Sequence, residues 1–201
     1  QVGTVAIGHN ALTALTTGTQ NTAIGYKALA EHQSQGNNTV LGYQAAFNTN
    51  NSHCADNVFI GTNTAAGSWA GTARYNTAVG MESMYGDMNG AEYNTALGKS
   101  ALRVLVSGDN NVGVGVNAGD TITTGSNNTI LGYDADASAS GAAGQIAIGA
   151  SVACTGDNTI TVGVGANTAS LALNGSATTW SAASSDERLK ENIETSSAGL
   201  N

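Results

Sequence analysis

The chain has 201 residues, of which 10% are charged and 5% aromatic, with 27 glycines, no proline and a net charge of −8. Six basic residues in that length cannot form a track for phosphates, which argues against nucleic acid and against an anionic membrane surface as partners. No apolar run reaches the roughly 18 residues of a membrane-spanning helix, and Gln1 does not open a signal peptide.

Hydrophobic residues still make up 41% of the chain and recur at fixed places, unlike a disordered polar chain. The recurring unit is a short strand ending in glycine. It reads TVAIG at 4–8, NTAIG at 21–25, NTVLG at 38–42, NVFIG at 57–61, NTAVG at 76–80 and NTALG at 94–98. It continues as NVGVG at 111–115, NTILG at 128–132 and QIAIG at 145–149, then as an irregular NTITVG at 158–163. Successive terminal glycines are 17, 17, 19, 19, 18, 17, 17, 17 and 14 residues apart, a periodicity that marks stacked coils. A second apolar station follows three and four positions after the glycine, as in Ala28-Leu29, Ala45-Ala46, Ser83-Met84, Ala101-Leu102 and Val152-Ala153. Turn residues such as Gln35-Gly36-Asn37 and Ser107-Gly108-Asp109 join the stations.

The strand alternates. Ile24, Leu41, Ile60, Val79, Leu97, Val114, Leu131 and Ile148 precede the glycine, with Thr22, Thr39, Val58, Thr77 and Thr95 on the same face. The residue between is mostly small: Ala23, Val40, Ala78, Ala96, Gly113 and Ala147. A strand apolar on both faces needs cover on both, which one short coil has little material to provide. Three chains around an axis would provide it, with the small residues at the crowded interface and the threonines turned inward. An ice-binding array needs exposed threonines and is disfavoured on that reading. Asn21, Asn38, Asn57, Asn76, Asn94, Asn111, Asn128 and Asn158 share one coil position. Two readings are open: a stacked amide ladder, or strand starts after a turn.

The NTAIG–x–x–AL pattern resembles the head repeats of trimeric autotransporter adhesins of the YadA type, and repeats common in phage tail fibres. The resemblance covers residues 3 to about 166, with coils longer than the compact head repeat. It implies an all-β fold: a homotrimeric parallel β-roll or β-prism of stacked coils, mostly of 17–19 residues.

The long coils place extra residues at 48–56, 67–75 and 85–93. Insertions in a stacked repeat emerge on its flank and often bind. His53, Trp69, Arg74, Tyr75, Tyr85 and Tyr93 lie there and are the receptor-binding candidates; the alternative is that they fold back over the core. Cys54 and Cys154 lack metal-site spacing and lie too many coils apart for a disulfide, which leaves two free thiols. Scattered histidines, carboxylates without dense spacing and glycine pairs without a following helix point to no metal, cofactor or nucleotide site.

After Gly175 the repeat stops, and a charge-dense run, DERLKENIE, occupies 186–194. A capped surface helix accounts for its pattern. The wording SSDERLKENI is also similar to the start of the intramolecular chaperone of endosialidase-type tail spikes, an autoprotease. That resemblance implies cleavage of the Ser185–Asp186 bond, with Ser185 as nucleophile and Lys190 as its base. With so little of the chaperone present, no enzymatic activity is expected of this chain itself.

The organisation expected is a repetitive trimeric fibre over 1–166, the distal end of a mature fibre over 167–185, and the start of a cleavable chaperone with a short helix over 186–201. The function expected is attachment: a phage tail-fibre segment on the virion, binding a glycan or protein receptor on the host surface. A trimeric adhesin on a bacterial surface, including a fibre of a predatory bacterium, is the alternative, and a glycan-degrading tailspike the third.

Overall fold

A computed structural model describes residues 2–49, 53–173, 175 and 181–182. Among these the chain is all-β, without helix, and forms a solenoid of stacked parallel coils. One short strand marks each coil, of three residues in all but the last: β1 (Val5–Ile7), β2 (Thr22–Ile24) and β3 (Thr39–Leu41). The inserted β4 (Cys54–Ala55) and β6 (Ala73–Arg74) interleave with β5 (Val58–Ile60) and β7 (Thr77–Val79). The series continues through β8 (Thr95–Leu97), β9 (Val112–Val114), β10 (Thr129–Leu131), β11 (Ile146–Ile148) and β12 (Thr159–Val164). All but β4 and β6 join one parallel sheet in unbroken register, Ala23 beside Val40, Val40 beside Phe59, Phe59 beside Ala78. β13 (Asn167–Ala172) then reverses direction and pairs antiparallel with β12, and β14 (Ser181–Ala182) pairs antiparallel with β13. The Cys54–Arg74 insertions pair with each other as a second small sheet, continued by a bridge from Arg74 to Glu92. They are extra rungs on the coil wall rather than free loops.

The phase of the strand is opposite to the sequence expectation. The middle residue points into the chain's own coil, where Ala23, Val40, Phe59, Ala78, Ala96, Ile130 and Ala147 are fully buried. The large aliphatics and the threonines point outward, as the exposed–buried–exposed pattern of β3, β8 and β10 shows. The small residues therefore do not sit at an interface between chains. The reason is volume: the interior is one layer thick, and the strand shares it with the second station. Ala28, Leu29, Ala45, Ala46, Met84, Ala101, Leu102 and Val152 fill that station completely, whereas Ala153 is exposed. Leu102 packs so close to Gly113 that an added Cβ would lie 2.9 Å from its Cγ.

The backbone that turns the chain between stations is unusual. Leu29 and Leu102 hold φ of 49° and 48° in the left-handed region, which ordinarily disfavours residues with a Cβ. At the strand end Gly98 has φ 137°, and a Cβ there would strike the carbonyl of Gly115 in the next coil. Only glycine lets successive coils approach at one strand spacing.

The asparagines form the amide ladder. Asn57 donates from its backbone N–H (3.2 Å) and its Nδ2 (3.1 Å) to Asn38 Oδ1, and its Nδ2 also donates to Ala73 O at 2.9 Å. Asn76 repeats this on Asn57 and Ala91, and Asn94 on Asn76 and Gly108. The ladder runs from Asn21 to Asn128, all fully or almost fully buried. Its last member is Gln145, whose N–H donates to Asn128 Oδ1 at 3.0 Å while its own amide turns to Ser138 and Asp157. Asn158 is not part of it. The register Ile146 to Ile160 sets Asn158 one residue earlier, beside Gly144 and with φ 53°, in the left-handed column of Asn110 and Asn127.

Replacing Asn76 by Ala removes both bonds that its Nδ2 donates and both that its Oδ1 accepts, leaving the Asn94 N–H and the Ala91 carbonyl unsatisfied. The expected loss is about 3 kcal/mol at equilibrium in urea, from about 1–3 kcal/mol per orphaned buried group; a loss below about 1 kcal/mol would show the ladder to be incidental.

Candidate functional site

Two outward columns run the length of the sheet. The first is Val5, Thr22, Thr39, Val58, Thr77, Thr95, Val112, Thr129, Ile146 and Ile160; the second is Ile7, Ile24, Leu41, Ile60, Val79, Leu97, Val114, Leu131, Ile148 and Val162. Neither column contains a charged residue. Leu41, Leu97 and Leu131 each keep nearly half of their surface in solvent. Parallel pairing in constant register makes this a continuous, uncharged ribbon two side chains wide. The alternation in the sequence pointed to two distinct strand faces but not to this one as the outer.

The receptor-binding candidates from the long coils fall in several places. His53 is exposed, directly before buried Cys54. Trp69 is inside: it is buried and meets Phe59 edge-on, with ring centroids 5.5 Å apart at 85°, the core-covering role of the two open to it. Arg74 is half-buried in β6, and its buried Nε has no hydrogen-bond partner among the described residues. Tyr75 and Tyr93 stack on one another at 4.9 Å and 12°, both exposed. Tyr85 is exposed beneath the Arg103 guanidinium, 5.4 Å from its ring, and Arg103 also pairs with Glu82 at 3.2 Å. The structure thus joins Tyr75 with Tyr93, and Tyr85 with Arg103, but gathers no single site from all six. Sequence reasoning missed a third aromatic set, His9, Tyr26 and Tyr43; each directly follows a strand glycine, a periodic signal open to reading.

Ser185, Asp186 and Lys190, and the helix expected around them, lie outside the described residues. Cys54 and Cys154 are free and buried. Burial pushes the Cys54 thiol far above its usual range, despite a bond from Asn57. Burial, with Asp134 nearby, raises the Asp120 carboxyl, and burial raises Asp136, which accepts a bond from Thr121. No pocket and no group of three metal-ligating side chains occurs among the described residues. Comparison with family models, with curated proteins and with solved structures gives no match.

His32 is held in its neutral state by its surroundings. It is fully buried, and its Nε2 lies 2.7 Å from the carbonyl of Gln35, so Nε2 carries the proton and donates. Its Nδ1 has no hydrogen-bond partner among the described residues, and burial lowers its pKa. A lowered folded pKa means that the unfolded chain binds the proton first. Stability is therefore full above the ordinary histidine value of about 6.5 and falls as pH drops below it. Urea midpoints are expected to decline over the interval just below about pH 6.5, with the raised carboxyls of Asp120 and Asp136 acting in the opposite sense as the pH falls. The decline should vanish in His32→Gln; a midpoint flat over that interval in the native chain would refute it.

Proposed function

We propose that the chain is a segment of a homotrimeric attachment fibre, carried on a phage tail and binding a receptor on the host surface. The observation that carries this reading is the ribbon. Ten strands at about 4.8 Å and two columns of side chains span roughly 500 Å² of uncharged, largely aliphatic surface, at the upper end of what a soluble monomer exposes. A cover must match the same repeat over ten rungs, which another copy of the chain does. A face two side chains wide can turn towards a common axis from three sides. The three-fold order itself comes from the likeness of NTAIG–x–x–AL to trimeric heads, and the inward packing now falls to Ile24, Leu41, Leu97 and their columns. Threonines in the first column supply hydroxyls that can pair across such an axis. SSDERLKENI at 184–193 supports the tail fibre over the bacterial adhesin, because that wording is similar to the start of the chaperone of endosialidase-type tail spikes.

Sedimentation in native buffer tests the assembly. The expected species has three times the chain mass of 20.0 kDa, and Leu97→Glu combined with Leu131→Glu should release monomers that keep their β signal in far-ultraviolet circular dichroism. A native species of single-chain mass would overturn the assembly. In protein expressed with the chaperone module, mass spectrometry should find a mature chain ending at Ser185; an intact Ser185–Asp186 bond would remove the self-cleavage reading.

A further inference from the structure

The residue after each strand glycine forms a column beside the ribbon. Backbone bonds tie its rungs together, Gln44 N–H to Tyr26 O at 2.8 Å, Asn63 N–H to Tyr43 O at 2.9 Å and Glu82 N–H to Thr62 O at 3.0 Å. The first three rungs are rings in a parallel stack: His9 on Tyr26 at 5.6 Å and 11°, Tyr26 on Tyr43 at 5.2 Å and 13°. The fourth rung is Thr62, too short to continue the stack, and the fifth is Met81. Exposure follows the number of ring neighbours. Tyr26, with a ring on each side, is 39% exposed, Tyr43, with one, is 50%, and Tyr133, between Val116 and Ala150, is 60%. Tyr43 therefore presents a bare ring face along the rod, above Thr62.

The gap has the dimension of one ring. Two strand spacings separate Tyr43 from Met81, about 9.6 Å in all, which leaves one ring position at the usual rung spacing between them, held by Thr62. Its surroundings are polar and uncharged: the exposed Thr62 hydroxyl, with the amides of Gln44 and Asn63 in the adjoining column. The nearest charges are engaged elsewhere. Lys27 lies 5.0 Å from the Phe47 ring centroid and 5.6 Å from that of Tyr26, which Tyr43 separates from the gap in the stack order, and Glu82 is paired with Arg103.

We propose that this gap is a carbohydrate subsite, taking a neutral hexose or N-acetylhexosamine as the missing rung. The sugar lays its C–H face on Tyr43, and its hydroxyls exchange hydrogen bonds with Thr62 and the neighbouring amides. The site is an open surface platform rather than a pocket: a ring face flanked by hydroxyl and amide groups complements an apolar body with directional polar groups around it. The His9–Tyr26 stack holds Tyr43 in place beforehand, a support Tyr133 lacks. The inference names the receptor class of the attachment reading and rests on it in that respect.

Saturation-transfer NMR on the native chain tests it, with methyl β-D-galactopyranoside, methyl β-D-glucopyranoside and N-acetylglucosamine as probes and N-acetyl-tyrosinamide as the aromatic control. Ring C–H signals are expected from at least one sugar, lost in Tyr43→Ala and lost in Thr62→Tyr. The second variant adds a rung to an existing stack, so it decides the matter even where the first fails to fold. No signal from any of the three sugars, or a sugar signal that survives Thr62→Tyr, overturns the subsite. Signal from N-acetyl-tyrosinamide alone overturns the carbohydrate class in favour of a protein receptor. Sedimentation of the same samples separates the two readings: a trimer without sugar signal overturns only the subsite, and a sugar-binding monomer overturns only the assembly.

Discussion

The buried asparagine column is the constraint on which the rest of the solenoid depends. Each coil must enter its strand from a turn, and the turn would leave peptide groups unpaired inside the chain. An asparagine amide carries donors and an acceptor of the same kind as the peptide itself. Its Oδ1 takes both the N–H and the Nδ2 of the next asparagine, and its Nδ2 closes the next turn on a carbonyl. One side chain thus satisfies three groups and sets the coil's register against its neighbour. A buried network of this kind stabilises only when every member is paired, which is why the same residue returns at Asn21, Asn38, Asn57, Asn76, Asn94, Asn111 and Asn128. Where Gln145 replaces it, the extra methylene sends the amide to Ser138 and Asp157, and the ladder ends.

With register set, the two faces of the sheet take opposite tasks. The inner column must share a single layer with the second station, so it holds alanine or glycine in most coils. Where it holds Phe59, the longer coil brings in Trp69 to pack against it. The outer columns meet no such limit and carry Ile, Leu and Val. In the proposed fibre this is a division of labour: one apolar face folds the chain and the other joins it to its copies. The columns bordering the ribbon then remain for recognition, and their chemistry changes from coil to coil while the ladder beneath does not.

Much of this was legible in the residues. The glycine interval identified the coils, the strand before each glycine was placed to the residue, and the asparagines were picked out as one column. The left-handed backbone at Leu29 and Leu102 was not legible, because leucine carries no preference for that region and only burial holds it there. Nor was the place of Asn158, since the last coil is three residues shorter than its neighbours and only strand pairing shows where the missing residues fall. Trp69 and Tyr75 looked alike as scarce aromatics in an insertion. Their separation into core and surface follows from the second sheet that the insertions build.

What the amino-acid sequence determined by itself is the period: coil number, strand position, turn chemistry and the two different faces of each strand, all of which follow from covalent spacing. Which face is inside was decided only by the tertiary structure. Alternation with a period of two is symmetric, so it distinguishes two faces without saying which is buried. The volume enclosed by one coil breaks that symmetry, because a layer wide enough for alanine in most rungs, and for a larger residue only where its neighbours give way, cannot hold isoleucine or leucine in every one.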